Sequence, residues 1–190
     1  MKLLEDRILK DGRILPGEVL KVDSFLNHKI DVSLLSECGK EWYGLFKDEG
    51  VTKILTIEAS GIGISCITAQ YFGVPVVYAK KTKGIGVGAD FLSTKVVSLT
   101  HGQAYNVLVN KSYISKGDRI LVIDDFLANG SALKALIAIA EKAGATVVGA
   151  GVAIEKVFSG GGDSIRKMGY RVEALARISA IDIENGITFS

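Results

Sequence analysis

Apolar residues recur at two spacings along the chain, and the way those spacings alternate predicts the fold. Leu34, Leu35, Cys38, Trp42, Leu45 and Phe46 fall at helical spacing, with Asp31 or Ser33 as a cap and Gly50 as a stop. The run KILTIEASGIGISCITAQYFGVPVVYAKK then predicts a strand from Lys53 to Ile57, a glycine-containing turn, a helix ending at Gly73 and a second strand from Pro75 to Ala79. Such a βαβ unit places its two strands parallel, joined by a right-handed crossover. DRILVIDD repeats the strand, the segment 132–143 the helix, and ATVVGAGVAIEKVF gives a further apolar strand. SGGGDSIRKMGY is a loop opening into a short helix, and RVEALARISAID closes the series as a strand. Neither a repeat nor a linker interrupts residues 1–190, so the expectation is one α/β domain with a mainly parallel, twisted sheet flanked by helices.

Residues 82–102 break this rhythm. TKGIGVGADFLSTKVVSLTHG mixes Gly, Ser, Thr and Lys without a clear period, as lids and binding loops do. Tyr105, Val107 and Val109 alternate beyond it like a half-buried strand. The expectation is a mobile loop carried on a hairpin.

Composition narrows the function classes. With 48% hydrophobic and 23% charged residues the chain is globular. A net charge of +2 is too small to argue for nucleic acid or a membrane surface. No apolar run approaches the roughly 20 residues of a membrane span, and the amphipathic opening LLEDRILKDGR does not resemble a signal peptide. A cytoplasmic protein is expected. Cys38 and Cys66 form no CxxC and read as reduced core thiols; His28 and His101 are too few for a histidine-rich metal site and read as surface or structural.

The chemistry concentrates in ILVIDDFLANGSALKALIAIAEKAG. Adjacent carboxylates repel, so Asp124 and Asp125 at a strand end need something to hold. In a parallel sheet, ligands bind beyond the carboxyl ends of the strands. The turn after the pair offers backbone N–H groups from Ala128, Asn129, Gly130, Ser131 and Ala132 at a helix start, where a phosphate is welcome. Gly130 lets the backbone approach that anion closely. A phosphate beside carboxylates describes a phosphorylated pentose. No GxxxxGK[ST] is present, and GIGVG at 84–88 lacks both the dinucleotide spacing and a feeding strand.

VIDDFLANGSA resembles the phosphoribosyl-diphosphate signature of type I phosphoribosyltransferases, and IEASGIGIS resembles their diphosphate loop. LPGEVLKVDSFLNHKIDV and AIEKVFSGGG are similar to the xanthine-using bacterial branch of that family. The resemblance implies transfer of a phosphoribosyl group from phosphoribosyl diphosphate to xanthine, with Mg2+ held mainly by the substrate and not by protein side chains. It implies Asp124 and Asp125 on the ribose hydroxyls, residues 128–132 on the phosphate, and Ala59, Ser60, Gly61 and Lys81 on the diphosphate, Lys81 in its own or a neighbouring subunit. Leu20, Asn27 and Lys156 are implied on the base, with Phe158 either stacking there or packing in the core. A hood from about 1–35 and 157–190, a flexible loop over about 82–102 and a homodimer follow from the same likeness, as does an unusual peptide geometry at Ala59-Ser60-Gly61 in the liganded enzyme. The sequence departs from the family at Asn129, Ser131 and Ala132, at Ser60 where adenine enzymes carry Arg, and at Ala128 where six-oxopurine enzymes often carry Asp. Hypoxanthine or guanine is the alternative base. A non-catalytic sensor of phosphoribosyl diphosphate is the alternative class, disfavoured because the N-terminal stretch has no room for a DNA-binding domain.

Overall fold

The computed structural model describes residues 1–83, 88–97 and 104–190. His101 and much of the expected loop over 82–102 lie outside those residues. The chain opens with helix α1 (Lys2–Asp11) and a small antiparallel hairpin of β1 (Arg13–Leu15) and β2 (Val19–Lys21). A π-helical turn, Asp23–Asn27, leads into α2 (Val32–Phe46). Asp31 caps α2 by accepting the Leu34 N–H at 3.1 Å. The βαβ unit follows as β3 (Lys53–Ile57), α3 (Ser60–Phe72) and β4 (Val76–Thr82), with Gly73 left-handed at the end of α3.

Strands β5 (Phe91–Val97) and β6 (Ala104–Asn110) form an antiparallel pair. The expected hairpin is therefore present, and its first strand takes up Phe91–Val97 of the segment expected as a loop. Next come β7 (Arg119–Leu127), α4 (Ser131–Lys142), β8 (Thr146–Lys156), α5 (Gly161–Lys167), β9 (Val172–Asp182) and β10 (Gly186–Phe189). Strand β10 was not foreseen; it turns back antiparallel on β9.

The main sheet runs β10-β9-β8-β7-β3-β4-β6-β5. Its centre, β9-β8-β7-β3-β4, is parallel. The chain builds outward from β3 to β4, then returns to the other side of β3 for β7, β8 and β9. The switch point thus falls between β3 and β7, where ligands of open α/β sheets bind.

Two apolar layers hold this sheet. Leu121 and Ile123 of β7 join Trp42, Phe46 and Ile64 on one face. Ile120 and Val122 join Leu133, Leu136 and Ile137 of α4 on the other. That two-sided burial explains the unbroken apolar run in the strand. Burying one Leu, Ile or Phe side chain is worth about 1.5–3 kcal/mol, against about 0–1 kcal/mol for an exposed ion pair, so the layers carry the stability. From the first 35 residues, α1 sets Leu4 and Ile8 into the same layer as Leu175 and Ile178 of β9. Segment 157–190 supplies α5 and extends the sheet with β9 and β10.

Two single-residue readings change. Cys38 is buried, but Cys66 is exposed, because α3 is apolar nearly all round and its sequence does not say which side faces solvent. Phe158 is 41% exposed and is not a core aromatic; β8 ends at Lys156, and Phe158 sits in the short turn beyond it.

Candidate active site

Both loops implicated by the sequence leave the carboxyl ends of β3 and β7, side by side at the switch point. Gly61, in the first turn of α3, joins them. A Cβ built on Gly61 would lie 2.1 Å from Thr56 Oγ1 and 2.9 Å from Asp124 Oδ1. Only glycine permits the start of α3 to rest on the carboxylate in this way.

Asp124 and Asp125 do not follow the strand, as the sequence suggested, but lie within it. Strand β7 runs on to Leu127, because Phe126 pairs with Ile154 and Leu127 with Glu155 of β8. Both carboxylates are buried, at 5% and 7% exposure. Burial, and then repulsion from Asp125, push the Asp124 carboxyl well above its ordinary range, while the Lys81 charge pulls the other way. Asp124 Oδ1 accepts the Asp125 N–H at 3.0 Å, and Asp125 Oδ2 accepts from Asn27 Nδ2 at 3.0 Å. The pair is thus a buried, partly satisfied acceptor set, suited to hydroxyl donors.

Gly130 takes a left-handed conformation at φ 79° and admits α4 directly after the turn. Of the amides expected to face an anion, that of Ser131 donates here to Asn129 Oδ1 at 3.0 Å. The Asn at 129 lets the turn satisfy itself locally, which a plain Thr or Gly pattern would not suggest. A cavity of about 150 Å3 is lined by Asp124 with Ala128, Asn129, Gly130, Ser131 and Ala132. That is less than the roughly 300–1,000 Å3 of a whole small-molecule site and suits one end of a ligand. A larger recess, about 770 Å3, lies over β4 and β6 beside Tyr78 and Tyr113. It has neither carboxylate nor glycine turn, so volume alone does not mark the chemistry.

Ala59 caps α3, and Ser60 and Gly61 begin it. A cis peptide joins Glu58 to Ala59, one bond before the Ala59-Ser60-Gly61 stretch where unusual geometry is expected in the liganded enzyme. Lys81, on β4, donates its backbone N–H to Glu58 Oε1 at 2.6 Å. Lys156 Nζ donates to the Glu18 carbonyl at 2.9 Å, in the turn of the hairpin that carries Leu20. Burial lowers the Lys156 pKa, with the Glu18 charge opposing. Leu20 itself is buried, and its backbone lies opposite Ile14. The N-terminal segment therefore reaches the site twice, through Glu18 to Lys156 and through Asn27 to Asp125.

Sequence reading missed Thr56, whose buried Oγ1 has no hydrogen-bond partner. It also missed Glu58 and the buried Glu155, although a charge inside the apolar run VAIEKVF is a legible sign. Among the described residues no three His, Cys, Asp or Glu side chains cluster to hold a metal ion. Asp124 and Asp125 offer carboxylates only beside a ligand that brings further oxygens. Among the same residues, no helix is long and apolar enough to cross a membrane.

Two loops side by side at the switch point, with buried carboxylates between them, suit a phosphorylated ligand. Residues 32–171 match the phosphoribosyl transferase domain, and the chain belongs to that family. Within it, the chain is 54% identical over 186 residues to the xanthine phosphoribosyltransferase of Lachnoclostridium phytofermentans, covering 98% of this chain and 96% of that one. It is 53% identical over 187 residues to the enzyme of the same name from Bifidobacterium adolescentis, covering 98% and 97%. Among solved structures, the adenine phosphoribosyltransferase of Giardia lamblia complexed with 9-deazaadenine shares the fold at a TM-score of 0.77 and 24% identity, covering 92% of this chain and 97% of that one. The Rhodothermus marinus adenine enzyme does so at 0.74 and 22%, covering 93% and 99%.

Proposed function

We propose that the protein is a xanthine phosphoribosyltransferase of purine salvage, converting xanthine and phosphoribosyl diphosphate to xanthosine 5'-monophosphate and diphosphate. The observation that carries the phosphoribosyl chemistry is the close approach of Gly61 to Asp124, where an added Cβ would lie 2.9 Å from Oδ1, setting the loop after β3 against the buried carboxylates of β7; the likeness to xanthine phosphoribosyltransferases supports the base. A purine ring nitrogen forms a bond to C1 of the ribose as the C1–oxygen bond to diphosphate breaks, with inversion, and the ring proton of the base passes through solvent to the departing diphosphate. Positive charge grows on the sugar and negative charge on the leaving group, so positioning and electrostatics do most of the catalysis.

Asp124 and Asp125 hold the ribose hydroxyls and face the developing cation. The turn 128–132 takes the 5'-phosphate through its amides, Ser131 exchanging its bond to Asn129 for the ligand. Ala59, Ser60, Gly61 and Lys81 hold the diphosphate, Lys81 from this subunit or from a partner in a homodimer. Lys156 donates to an oxo group of the base, and Asn27 and the Leu20 backbone read the ring from the hood, formed by about 1–35 and 157–190. Mg2+ chelated by the diphosphate and the sugar hydroxyls would offset leaving-group charge, with Asp124 and Asp125 beside those hydroxyls. The enzyme works in the cytoplasm, without nucleic acid or membrane.

A base-competition assay with phosphoribosyl diphosphate, scored by diphosphate release, tests the reading. Xanthine is expected to win over hypoxanthine and guanine. A preference for either of those would reassign the base, and no release with any base would favour the non-catalytic sensor.

A further inference from the structure

Glu155 is 1% exposed in an apolar strand and is held from two elements. Arg166 of α5 donates to it twice, Nη1 to Oε1 at 2.7 Å and Nη2 to Oε2 at 2.8 Å. Arg177 of β9 donates Nε to Oε2 at 3.2 Å. Burial pushes the Glu155 carboxyl up, but the bonds and charges of Arg166 and Arg177 outweigh it and leave it below its ordinary range, so it is ionised at neutral pH. Burying such a group is a poor route to stability, since well-packed apolar residues in its place are often neutral or better. Its value has to lie in geometry.

That geometry leads to the phosphate turn. Glu155 pairs in the sheet with Leu127, the residue just before the turn. Its carboxylate lies against the start of α5, where a Cβ on Gly162 would come within 1.7 Å of Oε1. The adjoining Gly161 donates its N–H to the Ala128 carbonyl at 3.0 Å. A Cβ on Gly161 would lie 2.2 Å from that oxygen and 2.5 Å from the Gly130 nitrogen. The Gly161–Gly162 peptide is therefore wedged between Glu155 and the turn, with Arg166 closing the ring.

We propose that Glu155 is a positioning residue, which through Arg166 and the Gly161–Gly162 peptide fixes residues 128–132 in the shape that receives the 5'-phosphate. This rests on the phosphoribosyltransferase reading above. Glu155→Gln weakens the clamp by removing charge, Arg166→Lys by removing the two-pronged bond, and Gly162→Ala by steric pressure with no change of charge.

Each variant is expected to raise the KM for phosphoribosyl diphosphate about tenfold, while the KM for xanthine moves less than about twofold. Ribose 5-phosphate, a probe that lacks both base and diphosphate, should bind about tenfold more weakly to each by equilibrium dialysis, Arg166→Lys included, because lysine cannot make the two-pronged bond. If Glu155→Gln does not fold, the other two decide the matter. Unchanged KM values with a lower kcat, or equal rises for both substrates, would reduce the cluster to scaffolding and overturn the proposal. Wild-type protein that releases no diphosphate with any base would instead sink the functional reading, and the ribose 5-phosphate comparison separates the two failures.

Discussion

Asn27 donates its side-chain amide to Asp125 across 98 positions of sequence, at 3.0 Å. The bond joins a residue implied in reading the base to a residue implied in holding the ribose. A ligand that engages either partner lies beside this hydrogen bond, so the two implied substrate sites meet at one polar contact.

The first expectation follows from that bond. Asn27→Ala should raise the KM for xanthine and also that for phosphoribosyl diphosphate, because Asp125 loses the donor that orients it. Combined with Asp125→Asn, the effects should fail to add by about 0.5–3 kcal/mol, as for residues in direct contact. Steady-state kinetics on the four proteins measures the coupling. Strict additivity would show that the bond does not matter to function.

Asp124 should separate stability from activity. Unfolded, it titrates near its ordinary 3.8; folded, its pKa is raised well above that by burial and by Asp125. The native state therefore keeps a proton that the unfolded chain has released. The resulting stabilisation is complete below the ordinary value and is lost as pH rises through the folded pKa. Asp124→Asn should raise the melting temperature at neutral pH, by about 2–4 °C for each kcal/mol recovered, and the gain should shrink towards acid pH. Turnover should fall by about 100-fold or more. Thermal melts across pH, set beside kcat, decide both points, and a variant as active as wild type would remove Asp124 from the site.

Lys156 is half-buried and bonded to the Glu18 carbonyl. Lys156→Ala should raise the KM for xanthine by about tenfold or more, with that for phosphoribosyl diphosphate nearly unchanged. Because burial lowers its pKa, its charge is lost at a lower pH than for an ordinary lysine. The KM for xanthine should accordingly climb on the alkaline side, and Lys156→Arg should flatten that climb. Equal effects on both substrates would mean that Lys156 does not read the base.

The parts of the fold that were legible share one property, a local pattern with local punctuation. Strand β3 has the predicted bounds because a short apolar run sits between Lys53 and the Glu58 turn. Helix α2 was legible from its stripe and its Asp31 cap. What was hidden depends on partners far along the chain. The extent and register of strand β5 are one case: a hairpin was expected, but that Leu92 faces Val109 and Thr94 faces Val107 is set by β6. The end of β7 is another, carried two residues past the aspartates by pairing with β8. In the site, the aspartates and the glycine turn could be read from adjacency, whereas the bond to Asn27 needs the turn 23–27 to meet β7, and the arginines around Glu155 come from α5 and β9.

The two thiols should differ sharply. Cys38 is buried and its thiol is pushed up to about 12 by desolvation, whereas Cys66 is exposed on α3. Since the thiolate is the reacting form, an aromatic disulfide reagent should titrate one thiol per chain in the native protein and two in denaturant. Mass analysis should place the fast adduct on Cys66. Fast reaction at Cys38 would show that the layer around Trp42 opens far more readily than its packing implies.

Gly61 offers the most direct test of how the two loops meet. A methyl group there would come within 2.1 Å of Thr56 Oγ1 and 2.9 Å of Asp124 Oδ1, well inside contact distance. Gly61→Ala must therefore lift the start of α3 away from β7, taking Ala59 and Ser60 with it. A misplacement of about 1 Å in a reacting geometry can cost about 100-fold, and a loss of that order in kcat/KM is expected with the circular dichroism spectrum unchanged. Adding Thr56→Ala removes the closer of the two collisions but leaves the one with Asp124. The double variant should thus regain much of the melting temperature lost by Gly61→Ala and little of the activity. Full recovery of activity would place the damage at Thr56 alone, and wild-type activity in Gly61→Ala would show that the loop after β3 need not touch Asp124 for the reaction to proceed.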